Sequence, residues 1–317
     1  MEKIIAPIDR KLLRKELTPD KLLRKTNKGN NNIYVVTHHN SPNVMLEIGR
    51  LRELTFRAAG GGTGKDADID RFDTQSKPFK QLIVWDDSGA EILGGYRYIV
   101  CSEAPKDEEG ERMLATNRLF KFSKKYIDEY EPLCIELGRS FVQPDYQSSK
   151  AGAKALFALD NLWDGLGALI VEHPQIKYFL GKMTMYRSFD EVALLYLMAF
   201  LDKYFRDKDG LIEAREDAKI HHDFESMTKE FTGNSYMEDY KILSKLVRGR
   251  GENIPPLVNA YMNLSPSMRV FGTVLNRFFG NVEETGILVT ISDIYGVKKD
   301  RHIETYIKYS NEDIQLR

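Results

Sequence analysis

Strand-like and helix-like segments alternate along most of this chain, and their order restricts the possible folds more than any single motif does. Short apolar runs rich in β-branched and aromatic residues, at 33–37, 80–86 and 133–142, indicate strands. Residues 42–58 and 153–172 carry apolar side chains at helical spacing. This order predicts an α/β (α+β) fold in which a central mixed sheet is flanked by helices.

The second half of the chain continues the same alternation. Residues 91–101 complete a hairpin with the strand before them, and residues 176–186 predict a further strand. Ser188 and Glu191 form a capping box that predicts the start of another helix. Charged, irregular stretches interrupt the pattern twice. We therefore predict a basic N-terminal arm over 1–32, a folded domain over 33–295 with helical insertions near 102–131 and 207–253, and a C-terminal tail over 296–317.

The composition argues against several classes of protein. A formal charge of −1 over 317 residues gives no general attraction for nucleic acid. The longest apolar run, residues 192–201, is too short to span a bilayer, and the N-terminal residues lack the apolar core of a secretory signal. The two cysteines and six histidines show no metal-binding spacing. We therefore expect no metal site and a reducing, cytoplasmic location.

Positive charge is concentrated near the N-terminus. Residues 1–28 contain nine lysines and arginines against four acidic residues, and leucines are interleaved with them. One interpretation is a solvated helical arm. The other is a surface for anionic lipid or for an acidic protein partner, which would place the protein peripherally on the inner face of the cytoplasmic membrane.

The segment 56–73, FRAAGGGTGKDADIDRFD, resembles a phosphate loop or a calcium loop but meets the requirements of neither. A phosphate loop needs a glycine where Ala59 stands and a hydroxyl where Asp66 stands. A calcium loop needs a glycine and a glutamate at the positions of Arg71 and Lys77. We therefore expect the aspartates of this segment to pair with arginines of the protein.

The segment ELGRSF, residues 136–141, places a carboxylate in a largely apolar strand. Regular alternation predicts one face with Glu136, Gly138 and Ser140, and the other with Leu137, Arg139 and Phe141. A buried carboxylate needs a partner or must become neutral. From these residues alone two interpretations remain, a general base or a structural ion pair between glutamate and arginine.

Charged side chains attached to the predicted core elements make a larger set. We expect three arginines and three carboxylates to form a closed ion-pair network that lines a cleft. The six are Arg52, Arg97, Arg139, Asp70, Asp73 and Glu136.

The order R-x-x-x-F, D-x-x-D, G-x-Y-R and E-x-x-R resembles the acyl-carrier-protein-dependent N-acyltransferases of the GNAT superfamily. Two branches share it, the acyl-homoserine-lactone synthases and the hemolysin-like enzymes that N-acylate ornithine or glycine. The second is the better match, because ELGRSFVQPDYQ, LWDGL, YFLGKMTM and IPPLVNAYMNLSPSMRVFG all look like that branch. The resemblance covers residues 33–295 and implies a GNAT-type acyltransferase fold.

The resemblance also implies roles for individual residues. Glu136 and Arg139 would be catalytic, with Glu136 deprotonating the attacking amine directly or through water. Substrate would be bound and the site organised by Arg52, Phe56, Asp70, Asp73 and Arg97. The phosphopantetheine arm or the thioester oxygen would be held by Phe141, Val142, Lys150, Gly152 and Ala153.

Two departures from the superfamily pattern bear on the substrates. In QSSKAGA, Lys150 stands at the first glycine of the usual cofactor loop R/Q-x-x-G-x-G/A, which weakens a cradle for the diphosphate of coenzyme A. An acyl-phosphopantetheine on acyl carrier protein, with a single phosphate, is therefore the expected donor, with acyl-CoA as the alternative and no tightly bound cofactor. Residues 57–73 contain no tryptophan, which disfavours the homoserine-lactone branch.

These inferences predict an enzyme that moves a (3-hydroxy) fatty acyl chain from acyl carrier protein to the α-amine of glycine or ornithine, forming a lyso-aminolipid. The acidic carrier would be attracted by the N-terminal arm and by Lys121, Lys124, Lys125 and Lys150. Two alternatives remain open, a homoserine-lactone-type synthase and a non-catalytic, membrane-perturbing hemolysin. The sequence does not choose between glycine and ornithine.

Overall fold

The computed structural model describes residues 1–147 and 153–306, and these residues contain ten β-strands. Eight of the strands form one mixed sheet in the order β1-β2-β3-β4-β6-β7-β10-β9, and β5 and β8 pair with each other. The strands are β1 (Leu22–Lys25), β2 (Asn32–Val36), β3 (Lys80–Asp86), β4 (Glu91–Val100), β5 (Phe120–Phe122), β6 (Cys134–Val142), β7 (Tyr178–Met185), β8 (Ile212–Ala214), β9 (Arg269–Asn276) and β10 (Val282–Thr290).

Helices cover both faces of this sheet, which confirms the predicted fold class. In the same described residues they are α1 (Arg10–Glu16), α2 (Pro42–Ala58), α3 (Arg71–Thr74), α4 (Ala153–Glu172), α5 (Glu191–Phe205), α6 (Glu225–Thr228), α7 (Tyr236–Gly249), α8 (Pro256–Met262) and α9 (Gly296–His302). α2 shows why these segments are helical. Pro42 occupies its first turn, where a missing N–H costs nothing. Val44, Ile48 and Leu51 recur at helical spacing and are buried.

The centre of the sheet opens between two neighbouring strands. β6 and β7 are parallel, and they pair only over Cys134–Glu136 and Tyr178–Leu180. Beyond that point β6 continues along β4, while β7 continues along β10. The two strands therefore diverge and leave a gap in the middle of the sheet.

Each face of the sheet buries its own apolar cluster. On one face, α4 and α5 contribute Leu166 and Leu197 to a cluster that includes Leu82 of β3. On the other face, α2 contributes Ile48 to a second cluster, which contains Ile83 of β3. Full burial of such a side chain stabilises the fold by about 1.5–3 kcal/mol. Leu82 and Ile83 point to opposite faces, and each is buried in one of the two clusters. A shift of one residue in the strand pairing would move both side chains to the wrong face, which fixes the register of β3.

The two predicted insertions, 102–131 and 207–253, build one structure together. β5 lies in the first and β8 in the second, and the two strands pair antiparallel. Phe120 of β5 is fully buried, and a Cβ on Gly286 of β10 would lie 3.0 Å from its ring. The paired insertions therefore cover the sheet beside the gap between β6 and β7. The second insertion also contains α7, a helix of 14 residues that the sequence pattern had presented as irregular.

Both ends of the described chain pack against the elements between residues 33 and 295. Leu13 of α1 is 1% exposed and packs in the same cluster as α2. β1 is the edge strand of the sheet. α9 docks on α4, where His302 Nδ1 lies 2.8 Å from Asp164 Oδ1. The N-terminal segment thus packs on the rest of the domain. Most of its charged side chains are on the surface, whereas Arg24 of β1 is buried.

Local differences from the predicted elements are few. α5 is capped by the side chain of Asp190, which accepts a hydrogen bond from Ala193 N at 2.9 Å, and not by Ser188. β9 was not predicted, because Gly272, with φ +85°, and Thr273 interrupt its apolar pattern. Among the residues that the structure describes, no helix is both long enough and apolar enough to cross a bilayer.

Candidate active site

A cavity of about 600 Å³ lies where β6 and β7 diverge, within the range of small-molecule sites. Its two halves differ in chemistry. The half toward α2 and the paired insertions contains the charged groups of the lining, beside apolar side chains such as Phe56, Leu119 and Phe279. Its polar lining residues are Asp70, Arg97, Arg118, Arg139, Lys182, Thr184, Tyr186, Asn276 and Glu284. The half toward α4 and α8 is largely apolar and is lined by Leu137, Val142, Ala158, Leu159, Pro255, Pro256, Leu257 and Val258.

The predicted ion-pair network exists and forms one wall of this cavity. α2 contributes Arg52, whose guanidinium lies 3.3 Å from Asp73 Oδ1. Arg97 of β4 contacts Asp70 at 2.8 Å and Asp73 at 3.3 Å. Asp70 and Asp73 also form the capping box that starts α3, so their three-residue spacing fixes both carboxylates at one helix end. Gln81 of β3 donates a hydrogen bond to Asp73 at 3.0 Å.

The third arginine of the network pairs with a carboxylate that the sequence did not single out. Arg139 Nε lies 2.7 Å from Asp68 Oδ2, and its Nη2 lies 3.7 Å from Asp70. Asp68 is fully buried. The guanidinium also stacks on the ring of Phe279, 4.1 Å from its centroid. The network thus contains three arginines and three carboxylates as expected, but the third carboxylate is Asp68 and not Glu136.

The predicted division of ELGRSF between two faces is wrong, because the strand has a bulge. Arg139 has a φ of +49°, and the pairing of β6 with β4 shifts register between Gly95 and Arg97. A bulge of this kind inserts one residue and reverses the alternation after it. As a result Arg139 lies on the same side as Arg97, and Phe141 packs with the α2 cluster while Leu137 packs with the α4 cluster.

Glu136 occupies a closed position below the cavity. It is 1% exposed, and its carboxylate accepts hydrogen bonds from Ala115 N at 2.9 Å, Thr116 N at 2.6 Å and Thr116 Oγ1 at 2.5 Å. No arginine contacts it among the described residues, so the ion-pair interpretation is wrong. Glu136 is also not among the described residues that line the cavity. It anchors the first insertion to β6, and its role as general base stays a prediction.

The predicted substrate residues divide into those that reach the cavity and those behind it. Asp70, Arg97 and Phe56 line it, and the Phe56 ring meets Phe279 edge to face at 5.0 Å. Arg52 and Asp73 are fully buried and do not line it. These two residues position the arginine and the aspartate that face the cavity.

The predicted donor residues are only partly covered by the structure. Phe141 and Val142 line the cavity at the end of β6. Lys150 and Gly152 lie outside the described residues. Ala153 is the first residue of α4, and its side chain is likewise outside the description.

The glycine-rich segment is a structural loop. Glu53 of α2 accepts hydrogen bonds from Thr63 N at 2.9 Å and Gly64 N at 2.8 Å, which holds the loop against the helix. Gly61 packs on Gly280 of the β9–β10 turn, where a Cβ on Gly280 would lie 2.8 Å from the Gly61 backbone. The loop thereby brings Phe279 next to Arg139. Within the described ranges no group of acidic, histidine or cysteine side chains is arranged to hold a metal ion.

Six of the polar residues that line the polar half were missed by sequence reasoning. Lys182 and Thr184 belong to β7, and Tyr186 directly follows that strand. Asn276 belongs to β9, Glu284 to β10 and Arg118 to the first insertion. Burial and the charge of Glu284 raise the pKa of Tyr186 to about 12, so this hydroxyl stays protonated at neutral pH. The sequence did contain a usable signal. Lys182 and Glu284 are charged residues within apolar strands, which is as unusual as the position of Glu136.

Asp70 is the charged centre of the network on the cavity side. Burial would raise the pKa of its carboxyl, but the charges of Arg97 and Arg139 outweigh burial and hold the pKa well below its usual 3.8. A carboxylate with a depressed pKa stabilises the folded state at every pH above its ordinary value. That contribution is lost as the pH falls toward the folded-state pKa.

We expect Asp70→Asn to destabilise the protein by a constant amount from about pH 7 to 5, and by a shrinking amount below about pH 4. Between about pH 7 and 5, Asp70 of the wild type is ionised in both the folded and the unfolded state, so its pairing with Arg97 contributes fully to the free energy of unfolding. Below about pH 4, Asp70 of the unfolded chain takes up a proton, and the difference in stability between wild type and variant decreases. Urea-unfolding midpoints of both proteins at about pH 7, 5 and 3 measure the difference, and a difference independent of pH would contradict the assignment.

Comparison with known proteins agrees with this architecture. Residues 51–156 match the family described as an acetyltransferase (GNAT) domain. The chain is 54% identical over 316 residues to a protein from Phocaeicola vulgatus named glycine N(alpha)-acyltransferase, with 100% of this chain and 97% of that protein covered. It is also 54% identical over 316 residues to a protein of the same name from Bacteroides thetaiotaomicron, of which 94% is covered. No solved structure matches the chain.

Proposed function

The chain belongs to the GNAT acyltransferase family and is an amino-acid N-acyltransferase, and we propose that its acceptor is the α-amine of glycine and its donor a fatty acyl thioester. The choice of glycine is supported by the name of both relatives, which are 54% identical to this chain. The product would be an N-acylglycine, a lyso-aminolipid. The single observation that carries the proposal is the cavity that joins a charged half to an apolar half.

The apolar half fits the acyl chain of the donor. Leu159 of α4 and Leu257 and Val258 of α8 line it. An alkyl chain gains about 0.8 kcal/mol for each methylene that it buries, which favours long chains over an acetyl group. A 3-hydroxyl on that chain, as in the hemolysin-like branch, is part of the proposal.

The polar half fits a small zwitterion. Arg118 stacks on Phe278, 3.6 Å from the ring centroid, and has no ion-pair partner among the described residues. Its guanidinium is suited to the carboxylate of the amino acid. Arg97 and Arg139 are neutralised by Asp68, Asp70 and Asp73, so they shape the pocket and do not compete for that carboxylate.

We place the thioester carbonyl of the donor at the boundary between the polar and the apolar half of the cavity. The bulge of β6 leaves Arg139 and Ser140 outside the register with β4, and both line the cavity. Backbone N–H groups at this point are the proposed donors to the oxyanion that forms when the amine attacks. Attack by the amine forms the C–N bond of this intermediate. Its collapse breaks the C–S bond, and a proton passes from nitrogen to sulfur, so that the donor leaves as a thiol.

The proposed donor is acyl-phosphopantetheine on acyl carrier protein. Lys121, Lys124 and Lys125 lie on the first insertion, which also lends Arg118 and Leu119 to the cavity. Lys124 is 87% exposed and Lys125 is 46% exposed, which suits long-range attraction of an acidic carrier. A peripheral position on the cytoplasmic membrane, through the exposed bases of α1, belongs to the same proposal.

The test is acyl transfer by the purified protein, followed by mass spectrometry of the products. The donors are palmitoyl and 3-hydroxypalmitoyl groups on acyl carrier protein and on coenzyme A, and the acceptors are glycine, ornithine and S-adenosylmethionine. We expect N-acylglycine, formed faster from the carrier protein than from coenzyme A. N-acylornithine alone would overturn the acceptor, consumption of S-adenosylmethionine would indicate a lactone-type synthase, and equal rates from both donors would overturn the carrier preference.

A further inference from the structure

Glu284 is a buried carboxylate in the cavity that the protein leaves incompletely paired. It projects from β10, is 4% exposed and lines the polar half. Its Oε2 atom is buried and has no hydrogen-bond partner among the described residues. The ammonium group nearest to it, Lys182 Nζ, lies 4.0 Å away, within reach of charge attraction but beyond a hydrogen bond.

An incompletely paired buried carboxylate is unfavourable, so its presence requires an explanation. A buried polar group without a hydrogen bond costs about 1–3 kcal/mol, and more when it is charged. The other acidic group that lines the cavity, Asp70, is held by Arg97 and Arg139 and is not available to a ligand. Glu284 is therefore the described carboxylate in this cavity that a cationic ligand can reach.

The groups around Glu284 leave room for such a ligand. On β7, Thr184 lies opposite it in register, and Lys182 precedes Thr184 by two residues on the same side of the strand. Tyr186, directly after β7, also lines the cavity. Lys182 Nζ lies 3.4 Å from Thr116 Oγ1 of the first insertion, which draws its ammonium away from Glu284. Asn276 of β9 also faces the cavity. The positive charge that the carboxylate lacks can thus be supplied by an ammonium group of the substrate.

We infer that Glu284 binds the ammonium group of the amino-acid acceptor and takes the proton that must leave before the amine can attack. The inference rests on the proposed function and assigns a residue to it. The ammonium loses one proton to a Glu284 oxygen. The neutral amine forms the C–N bond, the C–S bond breaks, and the second proton from nitrogen goes to the departing sulfur. The proton on Glu284 then returns to solvent.

The environments of Glu136 and Glu284 are opposite, and this is why we assign the proton transfer to the latter. Glu136 accepts three hydrogen bonds from Ala115 and Thr116 and does not line the cavity. Glu284 lines the cavity and has a free oxygen. Geometry comes before other considerations in assigning a general base, because the base must reach the proton that it takes.

Three glutamine variants test the assignment: Glu284→Gln, Glu283→Gln and Glu136→Gln. We expect Glu284→Gln to lower kcat for glycine about 10²–10⁴-fold, the usual contribution of a general base. The remaining rate should rise about tenfold for each unit of pH, since only glycine that is already deprotonated reacts. Glu283→Gln is the matched control, because the neighbouring side chain contacts His222 and does not line the cavity. We expect it to retain the wild-type rate.

Stability separates this role from a structural one. Replacing an incompletely paired buried charge with a neutral isostere should leave the Tm of Glu284→Gln unchanged or raised. Glu136→Gln should lower the Tm, because the carboxylate that holds the first insertion is lost. A Glu284→Gln protein that loses activity together with Tm would overturn the inference. So would full activity in Glu284→Gln while the wild type acylates glycine, and in that case the proposed function stands. If the wild type acylates no amino acid, the proposed function fails and the assignment fails with it.

Discussion

Replacement of Arg52 with methionine is expected to lower the free energy of unfolding by about 3–5 kcal/mol. Arg52 is fully buried on α2, and its guanidinium contacts Asp73 and Gln81. Methionine fills much of the same volume but leaves the buried Asp73 with fewer partners. The loss is large because an uncompensated buried charge costs more than the pair itself contributes.

Urea unfolding followed by circular dichroism measures this loss, with Arg206→Met as the matched control. Arg206 pairs with Asp202 on the surface, where its side chain is 64% exposed. Exposed ion pairs of this kind contribute about 0–1 kcal/mol. If both variants lose the same small amount, the network on α2 is not the buried scaffold described above.

Replacement of Ala158 with phenylalanine is expected to shorten the acyl chain that the enzyme prefers. Ala158 of α4 is 2% exposed and lines the apolar half of the cavity, so a larger side chain occupies space proposed for the donor. Each excluded methylene forfeits about 0.8 kcal/mol. Exclusion of four methylenes should then lower kcat/KM for the longest donors on the order of 100-fold.

The measurement is kcat/KM for acyl carrier protein loaded with chains of increasing length. Activity with the shortest donor that the wild type accepts reports whether the variant is folded and retains its polar half. Ala260→Phe is the control, because Ala260 of α8 is half-buried but does not line the cavity. An unchanged chain-length preference in Ala158→Phe would place the acyl chain elsewhere.

Together, the two predictions separate the parts of the site. The network of arginines and aspartates, of which Asp70, Arg97 and Arg139 reach the cavity, forms a wall whose charges are already neutralised within the protein. The groups left for substrates are Arg118 for a carboxylate and Glu284 for an amine. A charged residue of this site whose partners belong to the protein is therefore assigned a structural role. One that lacks such a partner is assigned to substrate binding.

Much of the fold could be predicted from the sequence because its signals are local. α2 spans Pro42–Ala58, as its apolar spacing indicated, and β3 and β4 form the predicted hairpin. The D-x-x-D pattern correctly indicated two carboxylates that meet arginines, since a capping box fixes both at the start of α3. Periodicity and capping depend on residues within one or two turns.

The two errors that matter most for the site share one physical cause, which is distance along the chain. Asp68 takes the place expected for Glu136 because the bulge at Arg139 turns that guanidinium toward the loop before α3. β5 and β8 were missed as a pair, since 89 residues separate Phe122 from Ile212 and only the fold brings them together. The helix and strand propensities of individual residues do not indicate which distant strands will pair.

The sequence alone indicated most of the helices and strands, the family resemblance and the three arginines and two of the aspartates of the network. It could do so because spacing along a helix or strand follows from backbone geometry. Only the tertiary structure decided which carboxylate meets which arginine and how the two insertions close one wall of the cavity. It also decided that Glu284 lines the cavity, whereas Glu136 is hydrogen-bonded outside its lining. These outcomes depend on the order and divergence of strands in the sheet. The order of the strands is set by the burial of whole sheet faces. Many residues along the chain contribute to that burial, so no short segment of the sequence specifies it.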